Sequence, residues 1–80
     1  MKTDKNDTNI QNHINDILTL YPGQLVLSPM QFAKLRNKSI HTLRRERKKS
    51  VGAEYKVSNK QIEYPVRAVA IWLNSITQTA

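Results

Sequence analysis

Seven basic side chains fall between Arg36 and Lys49, with Glu46 as the single acid among them. Guanidinium and ammonium groups at this density do binding chemistry: forks and point charges for phosphate oxygens and guanine edges. The spacing gives that charge a direction. On a helix of residues 40–49, with Leu43 facing inward and about 100° per residue, His41, Arg45 and Lys48 lie roughly opposite Leu43. Arg44 and Lys49 flank that outer face, and Ile40 and the stem of Arg47 fall nearer the core side. A helix fits the major groove of B-DNA, where residues near its N-terminus reach base edges. Arg44 and Arg45 are therefore candidates for paired contacts to guanine, and His41 for a base or phosphate. Lys48 and Lys49 lie later and suit phosphates, which position a protein without reading sequence. The plain alternative is a solvated cationic face with no partner.

No other constellation carries chemistry. Two histidines, no cysteine and six scattered carboxylates form no nucleophile–base pair, metal triplet or Gly-rich phosphate loop. His13 reads as a surface residue. No catalytic residue, metal site or cofactor is expected.

The charge distribution supports a polyanion. The chain has 80 residues and a net charge of +7, yet residues 1–27 hold two Lys against three Asp. Residues 28–80 hold eleven Lys and Arg against three Glu, a basic segment of the kind that meets nucleic acid. At this length one small domain is expected, with a marginal core that no disulfide can staple. There is no apolar run long enough to span a membrane and no signal-peptide h-region in MKTDKNDTN, so a soluble cytoplasmic protein is expected.

The elements that would position the cationic face follow from caps and periodicity. Residues 1–8 read as disordered and 77–80 as a frayed tail. Ile10, Ile14, Ile17 and Leu18 recur at helical spacing over residues 9–20, capped by Thr8 or Asn9 and closed by Pro22-Gly23. Leu25-Val26-Leu27 is a short apolar lead-in to a domain spanning residues 25–76. Ser28-Pro29-Met30-Gln31 is a capping-box start for a helix that stops near Arg36-Asn37. Ser39 caps the next helix, with Thr42 at its third position. Ala33 is the small residue that a steep helix crossing needs. Beyond Gly52 the period turns to alternation: Tyr55 and Val57, then Ile62 and Tyr64, around a turn at Ser58-Asn59-Lys60. Lys56 and Lys60 place charge on this hairpin, while Gln61 and Glu63 face outward. Pro65 opens a final helix, residues 65–75, whose apolar face runs Val66, Val69, Trp72, Leu73 and Ile76, with Trp72 as the largest core contributor. Ile71 lies about 200° from Val69, so this helix is apolar nearly all round. The stripe Ile10/Ile14/Ile17 is expected to cover Ile71, in the same chain or a partner chain.

From Ser28 to Leu73 the chain resembles small winged helix-turn-helix proteins of the MerR superfamily, above all AlpA-type regulators and excisionases of phages and mobile elements. The matching residues are LSPMQFAKL, Ser39-x-x-Thr42-Leu43, Gly52, the Y-K-V-x-x-K-x-I-x-Y stretch from Tyr55 to Tyr64, and Pro65 leading to Val69, Trp72 and Leu73. The resemblance implies an α+β fold, mainly helical with a small β-hairpin, carrying an extra N-terminal helix. It implies sequence-specific binding of double-stranded DNA, with the second helix in the major groove and the wing on the backbone. By position, Ile40, His41, Arg44 and Arg45 take the recognition role and Lys60 the wing role; Ser39, Thr42, Lys48, Lys49 and Lys56 are further candidate DNA contacts. It further implies a second copy, as a dimer or cooperative array, and a recombinase or RNA polymerase as partners. Two positions depart from the pattern: Ala68 stands where an acid is frequent, and Glu63 where a base is usual. The competing class is a protein-interaction adaptor, with Ile71 and the first helix as its surface; a terminase-like packaging module shares the fold. RNA is a third option, weakened because the aromatic residues read as core-bound.

Overall fold

The structure, a computed structural model, describes residues 5–77, with side chains from Thr8 to Ile76. It is mainly helical, with four helices and a small three-stranded antiparallel sheet. The order is α1 (Lys5–Leu20), β1 (Val26–Leu27), α2 (Pro29–Leu35), α3 (Ile40–Lys48), β2 (Lys56–Ser58), β3 (Gln61–Pro65) and α4 (Val66–Thr77). The α+β class expected from the periodicity is therefore present.

Helix α1 begins earlier than its cap residues suggested. Lys5–Thr8, expected to be disordered, is helical; once Ile10, Ile14 and Ile17 are anchored, each added residue gains a backbone bond without a new nucleation step. The rest of the expected disordered start, residues 1–4, lies outside the described residues. Of the expected tail, Thr77 closes α4 and residues 78–80 lie outside the description.

The sheet runs β1-β3-β2. The short apolar lead-in pairs with β3, Val26 opposite Pro65 and Leu27 opposite Tyr64. The hairpin pairs Lys56 with Glu63, Val57 with Ile62 and Ser58 with Gln61. Its turn residues, Asn59 and Lys60, both have positive φ, 51° and 64°, the pattern of a two-residue type I′ hairpin.

Two helices end alike without glycine. After α2, Asn37 has φ 56°, its N–H donates to the Lys34 carbonyl, and the Lys38 N–H donates to the Ala33 carbonyl. After α3, Ser50 has φ 56°, its N–H donates to Arg47, and Val51 N–H donates to Glu46. Both are Schellman closures, which satisfy otherwise orphaned carbonyls.

The core is built from Phe32, Leu43, Leu27, Tyr64, Val69 and Ile17, all essentially buried. Phe32 stacks at 4.7 Å on Tyr64 and meets Trp72 edge-on at 5.5 Å. Trp72 is only half-buried, so Phe32 and Tyr64, not Trp72, are the largest fully buried side chains. Helix α1 packs along α4, but not over the residue it was expected to cover. The buried positions of α4 are Val66, Val69, Ala70 and Asn74, and small Ala70 admits close approach. Ile71 falls outside that face and remains 46% exposed. Ile76, expected on the apolar face, is exposed too.

Candidate nucleic-acid interface

Helices α2 and α3 form a corner whose geometry is set by polar contacts at every joint. At the start of α2 the Ser28 hydroxyl accepts from the Gln31 N–H, and the Gln31 carboxamide accepts from the Ser28 N–H, each at 3.1 Å. Gln24 and Gln31 exchange amide hydrogen bonds at 2.8 Å, tying the loop before β1 to this cap. Between the helices, Asn37 closes α2 and Ser39 opens α3, its hydroxyl accepting from the Thr42 N–H. Ala33, buried beneath the turn, leaves room for the helices to cross.

One ion pair then fixes α3 against α2. Arg36 donates through both terminal nitrogens to Glu46, at 2.8 and 2.9 Å. Its guanidinium lies 4.3 Å from the centre of the Trp72 ring and 5.2 Å from that of Phe32. The side chains are only 12% and 21% exposed, so this pair is screened less than a surface bridge. Gly52 completes the packing. Its φ is +89°, and a Cβ there would stand 3.0 Å from Glu46 Oε1 and 3.3 Å from Glu46 Cβ. The left-handed backbone favours glycine, and a Cβ would crowd Glu46.

With Leu43 buried and Glu46 and Arg47 half-buried, the opposite side of α3 is free. His41, Arg44, Arg45, Lys48 and Lys49 are all exposed along it. None of them enters an ion pair or hydrogen bond through its side chain among the described residues. Ile40 sits at the first turn, 39% exposed, and Thr42 packs beside the Ser39 hydroxyl. Lys34 and Lys38 extend the positive surface around the α2–α3 turn, lining an open depression with Met30 and Ile40. Lys38 belongs to the basic run, whereas no cue in the chain singles out Lys34.

The hairpin places Lys56 and Lys60 apart. Lys60 is at the exposed tip. Lys56 is exposed on β2 but stands directly opposite Glu63, which offsets its charge across the ladder. Ile10 and Ile14 pack against the core and Ile17 is buried within it, whereas Ile71 is brought to neither group. Tyr55, read as core-bound, is 42% exposed and pairs instead with Arg47.

Two arginines thus leave the cationic run. Arg36 is held by Glu46, and Arg47 donates to the Tyr64 hydroxyl at 2.7 Å. What is left outward is a narrower, unpaired set.

No family model, curated protein or solved structure matches the chain. The chemistry must therefore be argued from the geometry. Among the described residues, no group of three or more His, Asp or Glu is arranged to hold a metal ion. No helix of the described residues is long and apolar enough to cross a membrane. The exposed face of α3 offers guanidinium forks, ammonium groups and an imidazole on a rigid support, an arrangement that suits a phosphate-lined groove.

Proposed function

We propose that the protein binds double-stranded DNA in a sequence-specific manner as a winged helix-turn-helix module. Helix α3 is the recognition helix in the major groove, and the β2–β3 hairpin is the wing on the adjacent backbone. The observation that supports this best is the sorting of the arginines. Arg36 and Arg47 are tied to Glu46 and Tyr64, while Arg44, Arg45, Lys48 and Lys49 stand together, exposed and without side-chain partners among the described residues. Leaving four cations in a row without acids raises self-repulsion, which an anionic partner relieves. Arg44 and Arg45 serve base edges, Lys48 and Lys49 phosphates, and Lys60 the backbone beside the groove. Ser39, Ile40, His41 and Thr42 form the leading turn of the recognition helix.

A module of this size buries modest area, so tight binding requires a second copy on an adjacent site. The resemblance to regulators and excisionases of mobile elements favours service at a promoter or a recombination site. The test is selection of duplexes from a random-sequence pool, followed by titration of the selected duplex at several salt concentrations. Affinity is expected to fall steeply with salt, at about 0.9 in log–log slope per phosphate contact. Absence of duplex binding at low salt would overturn the proposal.

A further inference from the structure

Arg47 belongs to the cationic run by sequence but not by position. Its stem lies near the core side of α3, and its guanidinium turns away from the outer face toward the hairpin. There it meets both sides of the hairpin at once. Nη1 donates to the Tyr64 hydroxyl of β3 at 2.7 Å, and the guanidinium carbon stands 5.8 Å from the centre of the Tyr55 ring, just before β2. The two tyrosine rings are 6.0 Å apart. Tyr64 is itself 2% exposed and stacked on Phe32, so its hydroxyl is an acceptor with a fixed place.

The backbone packing makes this bridge matter. Helix α3 packs against α2, while β3 packs against β1, α2 and α4. Among the described residues, the hydrogen bond of Arg47 to Tyr64 joins the cationic helix to β3 of the hairpin. Arginine suits both halves of the bridge, since a planar guanidinium presents a fixed fork of donors and a flat face where an ammonium is a point charge.

We propose that Arg47 is a positioning residue that sets the angle of the hairpin against α3, so that Lys60 and the α3 cations engage one duplex together. This rests on the DNA-binding reading above and goes beyond it. With the bridge in place, the hairpin is pre-ordered and Lys60 reaches its phosphate at no further conformational cost. With the bridge cut, β3 stays held by β1, α2 and α4, but the outer part of the hairpin is ordered only by its own ladder and turn, and the contact at its tip loses most of its effect. The contribution of Lys60 therefore depends on Arg47, although the two side chains need not touch each other or the same phosphate.

A double-mutant cycle on the selected duplex tests this. Dissociation constants are measured for the wild-type protein, Arg47→Met, Lys60→Ala and the double variant, all well below their melting temperatures. Lys60→Ala is expected to weaken the wild-type protein about fivefold and Arg47→Met by less than about twofold further, the size of coupling seen within one network. Tyr64→Phe removes only the hydroxyl and is expected to reproduce the Arg47→Met pattern, while Arg47→Lys restores it in part. Equal fivefold losses from Lys60→Ala in both backgrounds would show that Arg47 merely stabilises the fold, and would overturn the proposal. If the wild-type protein selects no duplex, the functional reading falls by itself. Amide relaxation of residues 56–63 then decides the remaining point: greater mobility in Arg47→Met than in the wild type sustains Arg47 as the anchor of the hairpin, and unchanged relaxation overturns it.

Discussion

The seam between α1 and α4 and the corner between α2 and α3 are held by different forces. Along the seam, Ile17 is buried, and Ile10 and Ile14 pack against the cluster that contains Val69 and Ala70. At the corner, Ala33 and Leu43 contribute burial, but the joint also carries the Asn37 closure of α2, the Ser39 cap of α3 and the Arg36–Glu46 pair. Apolar burial is non-directional and scales with area. Hydrogen-bonded charge pairs add geometry. The seam thus supplies stability, whereas the corner fixes the roll of α3 and hence the direction in which its cations point.

If that division holds, damage to the seam should cost the most stability, damage to the corner less, and loss of an outward cation of α3 should appear in binding alone. The largest effect is expected from Ile17→Ala, at about 2–4 kcal/mol of unfolding free energy. Denaturant unfolding checks this, and a loss below 1 kcal/mol would mean that α1 is not integral to the domain. Next comes Glu46→Ala, which strands the Arg36 guanidinium between two rings. We expect a loss of about 1–3 kcal/mol, and much of it should return in Arg36→Met/Glu46→Ala because the unpaired charge is gone. Failure of the second change to recover stability would argue that Glu46 acts through Gly52 packing instead. Arg45→Ala should leave the melting temperature unchanged while costing about 1–3 kcal/mol on a selected duplex. A stability loss without a binding loss would reverse the assignment of the two regions. The smallest effect is expected from Ile71→Glu, within about 0.5 kcal/mol by thermal unfolding, since the residue lies largely outside the α1–α4 contact. A larger loss, or a change in sedimentation, would reveal a partner on that side of α4.

Much of this arrangement was legible in the residues. Ser28 with Gln31, and Ser39 with Thr42, announce their helix starts because caps are local chemistry. The phase about Leu43 places His41, Arg44, Arg45, Lys48 and Lys49 on the exposed side and the Arg47 stem inward, but it puts Ile40 nearer the core, whereas Ile40 at the first turn is exposed. The Tyr55–Tyr64 alternation and its turn give the hairpin for the same local reason. The interactions missed are those joining distant elements. Arg36 and Glu46 are ten positions apart, and nothing in a charge run says which members pair internally. Arg47 reads as one more cation until β3 brings the Tyr64 hydroxyl to it. Asn37 is legible as the stop of α2, because asparagine tolerates a left-handed backbone; Ser50 closes α3 in a conformation usually filled by glycine, so it does not stand out. Ile71 was placed under α1 because apolarity around a helix does not reveal which side a neighbour will choose; small Ala70 settles it.

The turn at Asn59 and Lys60 has a consequence for how this chain can change. Both residues hold a left-handed backbone, with φ 51° and 64°. Asparagine tolerates that conformation, but lysine is disfavoured there by its Cβ, and Asn-Gly is the pair that such turns prefer. Glycine in place of Lys60 should therefore raise the melting temperature while removing the outermost charge of the hairpin. On the proposed DNA-binding reading, selection for heat resistance and selection for grip on a duplex would pull this one position in opposite directions. A lineage carrying Asn-Gly here would be trading reach for robustness, and its hairpin would be a brace rather than a hand.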